Sequence, residues 1–233
     1  MDLTGALETA TGRLLTTVDG LDDAAWAGPS LLPGWSRAHV VAHLALNAEA
    51  LAAVVAGAAA GEAVPMYPSQ EARDGDVAAL AGEGGPAAAV RLRAGGAALE
   101  ASFAVVAGLP VRDRAAVEAR TAERTPGSDR TFAVGEVARM RLGEVEVHHA
   151  DLDAGYAAAD WPLPFALDLV HRLAPRVRAT LRATDDPAGT TWQGGPGAPT
   201  VTGTAASLGW WLSGRGTGEG LTSDGELPGI EAW

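Results

Sequence analysis

The chain has no cysteine, and none of its 17 basic residues is a lysine: every cation is an arginine. The first absence excludes a cysteine nucleophile, a disulfide and a thiolate-ligated metal, and the second excludes a lysine Schiff base. Any sulfur chemistry must be brought in by a small molecule. Positive charge is also in deficit, with 17 basic against 29 acidic residues and a formal net charge of -12. That balance argues against nucleic acid or an anionic membrane as a general partner, because both demand clustered cations. An anionic substrate must then be met locally by particular arginines. Long apolar runs are missing as well. The amino terminus Met1-Asp2-Leu3-Thr4-Gly5-Ala6-Leu7-Glu8 has acidic residues where a secretory signal is basic. The stretch from Ala50 to Ala60 falls well short of the roughly 20 residues that span a bilayer. A soluble cytoplasmic protein is expected. Its 233 residues suffice for one large domain or two modest ones.

What is present is a set of metal-ligating side chains. Glu144 and His148 stand four apart in Arg141-Leu142-Gly143-Glu144-Val145-Glu146-Val147-His148-His149. On a helix they share one face on successive turns, with Cβ atoms about 5–6 Å apart. His43, about a hundred residues earlier, falls on another apolar helical stripe and completes a set of two imidazoles and one carboxylate. Three ligands of this kind leave one tetrahedral position open, the arrangement of a catalytic zinc and not of a closed structural one.

The pattern of apolar residues places these ligands. Leu3, Leu7, Ala10, Leu14 and Val18 predict an amphipathic helix over 2–19. After the Pro33-Gly34-Trp35 turn, Ser36 is the N-cap of a helix from Arg37 toward Ala60. Residues 65–69 read as a loop or cap, and a third long helix runs from Pro86 to Val106. A short helix and a loop are expected over 111–130. A fourth long helix carries Val134, Val137, Arg141, Glu144 and His148 on one inward stripe, where buried charge needs a partner and a metal satisfies both ligands together. Gly155 to Pro164 reads as a linker. Beyond it come a helix from Phe165 to Arg182, β-prone pieces at 190–192 and 200–202, a helix from Ala205 to Ser213, and an extended segment from Leu221 to Trp233. The expected fold is α-rich with two domains: a four-helix bundle over residues 1–155, then a small α+β domain over 156–233.

Each feature also has a plainer reading. A single histidine on a helix stripe is commonly a hydrogen-bonded core residue, and Glu-x-x-x-His is a common helix pair. His39 and His43 form an alternative ligand pair, ranked lower because His39 sits in the first turn of its helix. His149 lies about 100° around the helix from His148, outside the ligand set. Asp151 and Asp153 either orient a ligand imidazole or are simply solvated. His171 is read as structural. The Gly194-Gly195-Pro196-Gly197 piece lacks the lysine of a phosphate loop and is read as a turn. Arg215 follows a helix C-terminus, where the macrodipole alone favours a cation.

Three segments carry a family resemblance: Leu32-Pro33-Gly34-Trp35-Ser36-Arg37-Ala38-His39-Val40-Val41-Ala42-His43-Leu44, Pro65-Met66-Tyr67-Pro68-Ser69, and Arg141 through Leu152. Together they resemble the mycothiol-dependent maleylpyruvate isomerase family, in which a DinB-like four-helix bundle holds zinc through two histidines and one glutamate and a sterol-carrier-like α+β domain follows. Asn47, where the wider DinB-like group often has a histidine, fits the isomerase branch. The resemblance implies His43, Glu144 and His148 as zinc ligands, mycothiol as thiol cofactor, and Arg215 as a catalytic residue pairing with a substrate carboxylate. The implied reaction is cis–trans isomerisation of maleylpyruvate to fumarylpyruvate by addition and elimination of the thiolate. The alternatives are transfer of a low-molecular-weight thiol to another electrophile, and a metal-bound bundle whose second domain binds an apolar ligand without catalysis.

Overall fold

The computed structural model describes residues 2–230, in two compact units that meet in sequence at Gly155 and Tyr156. The first unit is helical. Helix α1 (Leu3–Asp19) is capped by Asp2, whose carboxylate accepts from the Gly5 N–H, and it buries Leu7, Ala10, Leu14 and Val18. These are the positions that a 3.6-residue period brings to one face. A short helix α2 (Asp23–Ala27) buries Trp26. Helix α3 (Arg37–Ala60) follows a turn in which Gly34 adopts φ 78°. It is long and apolar enough to cross a membrane by composition, yet most of it is buried within the unit, as befits the central helix of a core.

Helix α4 (Gln70–Gly82) occupies a stretch for which periodicity predicts no element. Its residues 70–76, Gln-Glu-Ala-Arg-Asp-Gly-Asp, present no apolar stripe. Its start is instead set by Ser69, whose hydroxyl accepts from the Ala72 N–H. Helix α5 (Gly85–Ala107) packs along α3. The segment expected to hold a short helix and a loop does contain α6 (Val111–Glu118). It also holds an antiparallel hairpin of β1 (Thr121–Glu123) and β2 (Thr131–Ala133). The hairpin fixes another piece of chain, because the Met66 and Tyr67 N–H groups donate to the Glu123 and Arg124 carbonyls at 2.9 Å each. Helix α7 (Val137–Asp151) closes the unit against α1 and α3. The four long helices α1, α3, α5 and α7 form the bundle.

One end of this bundle is locked by Arg37. Its Nε donates to the Leu152 carbonyl and its Nη2 to that of Asp153, both at 2.7 Å. Those carbonyls lie at the C-terminal end of α7, where no intrahelical donors remain. The Leu31 N–H reaches the Asp151 carbonyl at 2.8 Å. The first turns of α3 and the last turns of α7 are thereby held side by side.

The second unit contains α8 (Leu163–Leu173), β3 (Thr180–Ala183), β4 (Thr191–Trp192), β5 (Thr200–Gly203), α9 (Ala205–Leu212) and β6 (Thr222–Ser223). The sheet order is β4-β3-β5-β6, with β3 and β5 parallel and the outer pairs antiparallel. The helix expected to run to Arg182 instead ends at Leu173. Pro175 has no N–H to continue the ladder, and the chain tightens into a 3-10 turn at Ala174–Arg176 before extending. In β3, Leu181 and Ala183 are buried while Arg182 is exposed, the period of two that a strand requires. Of the extended C-terminal segment, Thr222 and Ser223 pair as β6, and the part beyond Ile230 lies outside the described residues.

Candidate metal centre

The locked end of the bundle carries the site. His43 projects from the second turn of α3, and Glu144 and His148 project from one face of α7. The His43 Nε2 is 2.9 Å and the His148 Nε2 3.3 Å from Glu144 Oε2. The two imidazole rings approach edge to face at 4.7 Å. One donor atom from each residue lies within 4.8 Å of the other two. The three residues singled out by their spacing lie together in space. Both histidines are buried and Glu144 is partly open, so the cluster faces outward through its carboxylate.

The environment prepares each group for a cation. Burial pushes His43 down to about 4 against the pull of the Glu144 carboxylate, so its ring is neutral at physiological pH. Burial alone would raise Glu144. The hydrogen bonds from His148 and His43 outweigh it and hold the carboxyl well below its usual range. At His148, burial is outweighed in turn by Asp151 and Glu144, and the pKa rises. The Asp151 carboxylate is fully buried, 2.8 Å from His148 Nδ1. With Nδ1–H donating to Asp151, loss of the Nε2 proton that faces Glu144 leaves a lone pair aimed into the cluster, the carboxylate–histidine pattern that supports metal-ligating imidazoles. A neutral His43, an ionised Glu144 and an oriented His148 suit a divalent metal of borderline softness such as zinc.

The remaining candidates separate cleanly. His39 lies outside the cluster: its Nδ1 accepts from the Ser36 N–H at 3.4 Å and sits 2.7 Å from the Ser36 hydroxyl, completing the N-cap of α3. His149 turns toward α1, where its Nε2 is 2.8 Å from Thr17 Oγ1. Asp153 adopts φ 51° and faces away, 3.9 Å from Arg37. In the second unit, His171 accepts from the Trp192 indole at 3.4 Å. Gly195 and Gly197 both have positive φ, as a turn needs. Arg215 is buried just after α9, its Nη1 donating to the Ser213 carbonyl at 2.8 Å.

Several residues of the site were not assigned from sequence. Arg141, one turn before Glu144, is buried and donates to the Leu44 carbonyl and to Asn47 Oδ1, both at 2.8 Å. Burial lowers its guanidinium to about 10, which leaves it charged at neutral pH. Tyr67, whose phenol burial pushes up, hydrogen-bonds Asn47. Arg73, from α4, places Nη2 3.0 Å from His43 Nδ1 and its guanidinium 6.0 Å from the Trp35 ring. The only sequence signal for Arg73 is the Ser69 cap that starts its helix.

Comparison with known proteins agrees with this architecture. Two solved structures superpose on the whole chain with a TM-score of 0.83 and 27% identity, each over 98% of its own length. They are crystal structures of the mycothiol-dependent maleylpyruvate isomerase and of a variant of it with one histidine replaced by alanine. No curated protein sequence matches. Residues 7–153 match the Mycothiol maleylpyruvate isomerase N-terminal domain family. That match takes in nearly the whole helical unit and all three clustered donors, so the chain belongs to the mycothiol-dependent maleylpyruvate isomerase family of enzymes.

Proposed function

We propose that this chain converts maleylpyruvate to fumarylpyruvate, with zinc held by His43, Glu144 and His148 and with the thiol of mycothiol as the nucleophile. The observation that carries the reading is the convergence of two Nε2 atoms and one carboxylate oxygen within 4.8 Å. Zinc, when bound, supplies a Lewis acid that keeps a coordinated thiol deprotonated. Mycothiol, when bound, would supply a thiol nucleophile for reversible addition to the conjugated double bond, and because it would be regenerated no thiol would be consumed.

The chain's own residues hold and orient. Asp151 fixes the tautomer and plane of His148. Glu144 keeps its charge despite burial because two imidazoles face it. Trp35 sets an apolar ring edge to face against His43 at 5.8 Å. Arg215 takes a substrate carboxylate through its guanidinium fork. The anionic product and substrate are thus bound by individual arginines in a chain whose overall charge repels them.

The test is a spectrophotometric assay of maleylpyruvate with zinc and mycothiol, with total thiol titrated alongside. Many turnovers at constant thiol support the isomerase. Consumption of one thiol per turnover would instead make the chain an S-transferase, and zinc binding without thiol-dependent turnover would leave it a metal-binding protein.

A further inference from the structure

We propose that Arg73 is a carboxylate-binding, specificity-determining residue of this site, acting from the helical unit itself. The inference rests on the isomerase reading above, whose substrate carries two carboxylates where the family resemblance supplies one arginine, Arg215.

Arg73 is the fourth residue of α4, and only 15% of its side chain is exposed. Its three nitrogens differ in what they meet. Nη1 donates to Asp74 Oδ1 at 2.7 Å, and Asp74 is itself held by the Gln70 amide at 2.9 and 3.1 Å. Nε is buried with no hydrogen-bond partner among the described residues. Nη2 faces His43 Nδ1 at 3.0 Å. Nε and Nη2 lie along one edge of the guanidinium, the edge that grips a carboxylate through two parallel hydrogen bonds. A buried donor without an acceptor is costly and rare in native structures, so this edge lacks an acceptor where the site would receive its ligand.

The contact with His43 does not satisfy that edge once the ligand role of His43 is taken up. An imidazole that gives Nε2 to a metal carries its proton on Nδ1. It then faces Arg73 as one donor against another, leaving Nη2 as well as Nε in need of an acceptor. Trp35 beneath the guanidinium holds the plane in place at 6.0 Å. Nearby arginines are already engaged. Arg141 donates to Leu44 and Asn47, and Arg37 to three carbonyls at the helix ends. Arg124 stacks over Tyr67 at 5.6 Å. Arg73 therefore offers the open fork.

The experiment titrates maleate and its monomethyl ester into zinc-loaded wild type, Arg73→Met, Arg73→Gln and Arg73→Lys by calorimetry, with zinc content and melting temperature measured on each. Wild type should prefer maleate over the monoester by about 10–100-fold, the worth of a charged hydrogen-bond pair. Arg73→Met should lose that preference at full zinc occupancy, and Arg73→Lys should recover little of it because a point charge lacks the fork. Should Arg73→Met lose zinc, the same comparison is read from Arg73→Gln, whose amide oxygen can accept from the His43 Nδ1–H. Undiminished preference in a zinc-loaded Arg73 variant, or no binding of maleate by wild type, overturns the proposal. Failure of wild type to isomerise maleylpyruvate would sink the isomerase reading alone, since the maleate titration still decides what Arg73 binds.

Discussion

Asp151 holds the Nδ1 of His148 at 2.8 Å from a position with no solvent exposure. Asp153, two residues on, points away toward Arg37. The first carboxylate therefore holds the His148 imidazole and the second does not. Asp151→Asn keeps the shape and removes the charge, and should weaken zinc affinity by about 10–100-fold. Asp153→Asn should leave it unchanged. Competition against a chromophoric chelator measures both, and equal affinities in the two variants would remove Asp151 from the site.

Metal content should follow the cluster and not the histidine count. Replacing His43, Glu144 or His148 by Ala should each strip most of about one zinc per chain. His39→Ala and His149→Ala should retain it, because those rings are committed to Ser36 and Thr17. Elemental analysis of the purified variants, with circular dichroism to confirm folding, decides. Loss of zinc from a folded His39 or His149 variant would mean the ligand set is wrong.

Zinc binding should depend on pH through His148. Its pKa lies above 6.5, because Asp151 and Glu144 outweigh the effect of burial. Below that raised value a proton occupies the ring and must leave before Nε2 can ligate. Affinity should fall as pH drops through it, by about tenfold per pH unit for one proton, and level off above it. His43, already near 4, adds no second proton in this window. Calorimetry in buffers of different ionisation enthalpy counts the protons released, and release of no proton on zinc binding at pH 6.5, below the raised value, would contradict the assignment.

Arg215→Ala should keep zinc and thiol binding while turnover collapses, since a guanidinium does not ligate metal. The expected loss is at least about 2–5 kcal/mol of transition-state stabilisation for a desolvated charge pair. Arg215→Lys should restore little. Near-normal turnover of maleylpyruvate by Arg215→Ala would return the residue to a helix-end role, donating to the Ser213 carbonyl.

The residues themselves determine much of this protein. Apolar side chains repeating every three to four positions specify the four long helices, because each must bury one face. The same periodicity places His43, Glu144 and His148 on inward stripes, so the candidate cluster is legible in the spacing. The absence of cysteine determines that any thiol is external.

Other features depend on contacts between segments distant in sequence. Helix α4 has no apolar stripe over its first two turns and so gives no periodic signal, yet it delivers Arg73 to His43 across 30 residues of chain. The three-residue strands β1 and β2 are too short to declare themselves, and they exist by pairing with each other. Residues 180–183 continue the composition of the preceding helix, and they extend because Pro175 ends the ladder and β5 offers a parallel edge. The choice between Asp151 and Asp153 was made by the left-handed turn at Asp153 and by the grip of Arg37 on the end of α7. Local periodicity reports which face a residue occupies. Which neighbour it meets there is decided by long-range packing, whose partners the spacing within one helix does not encode.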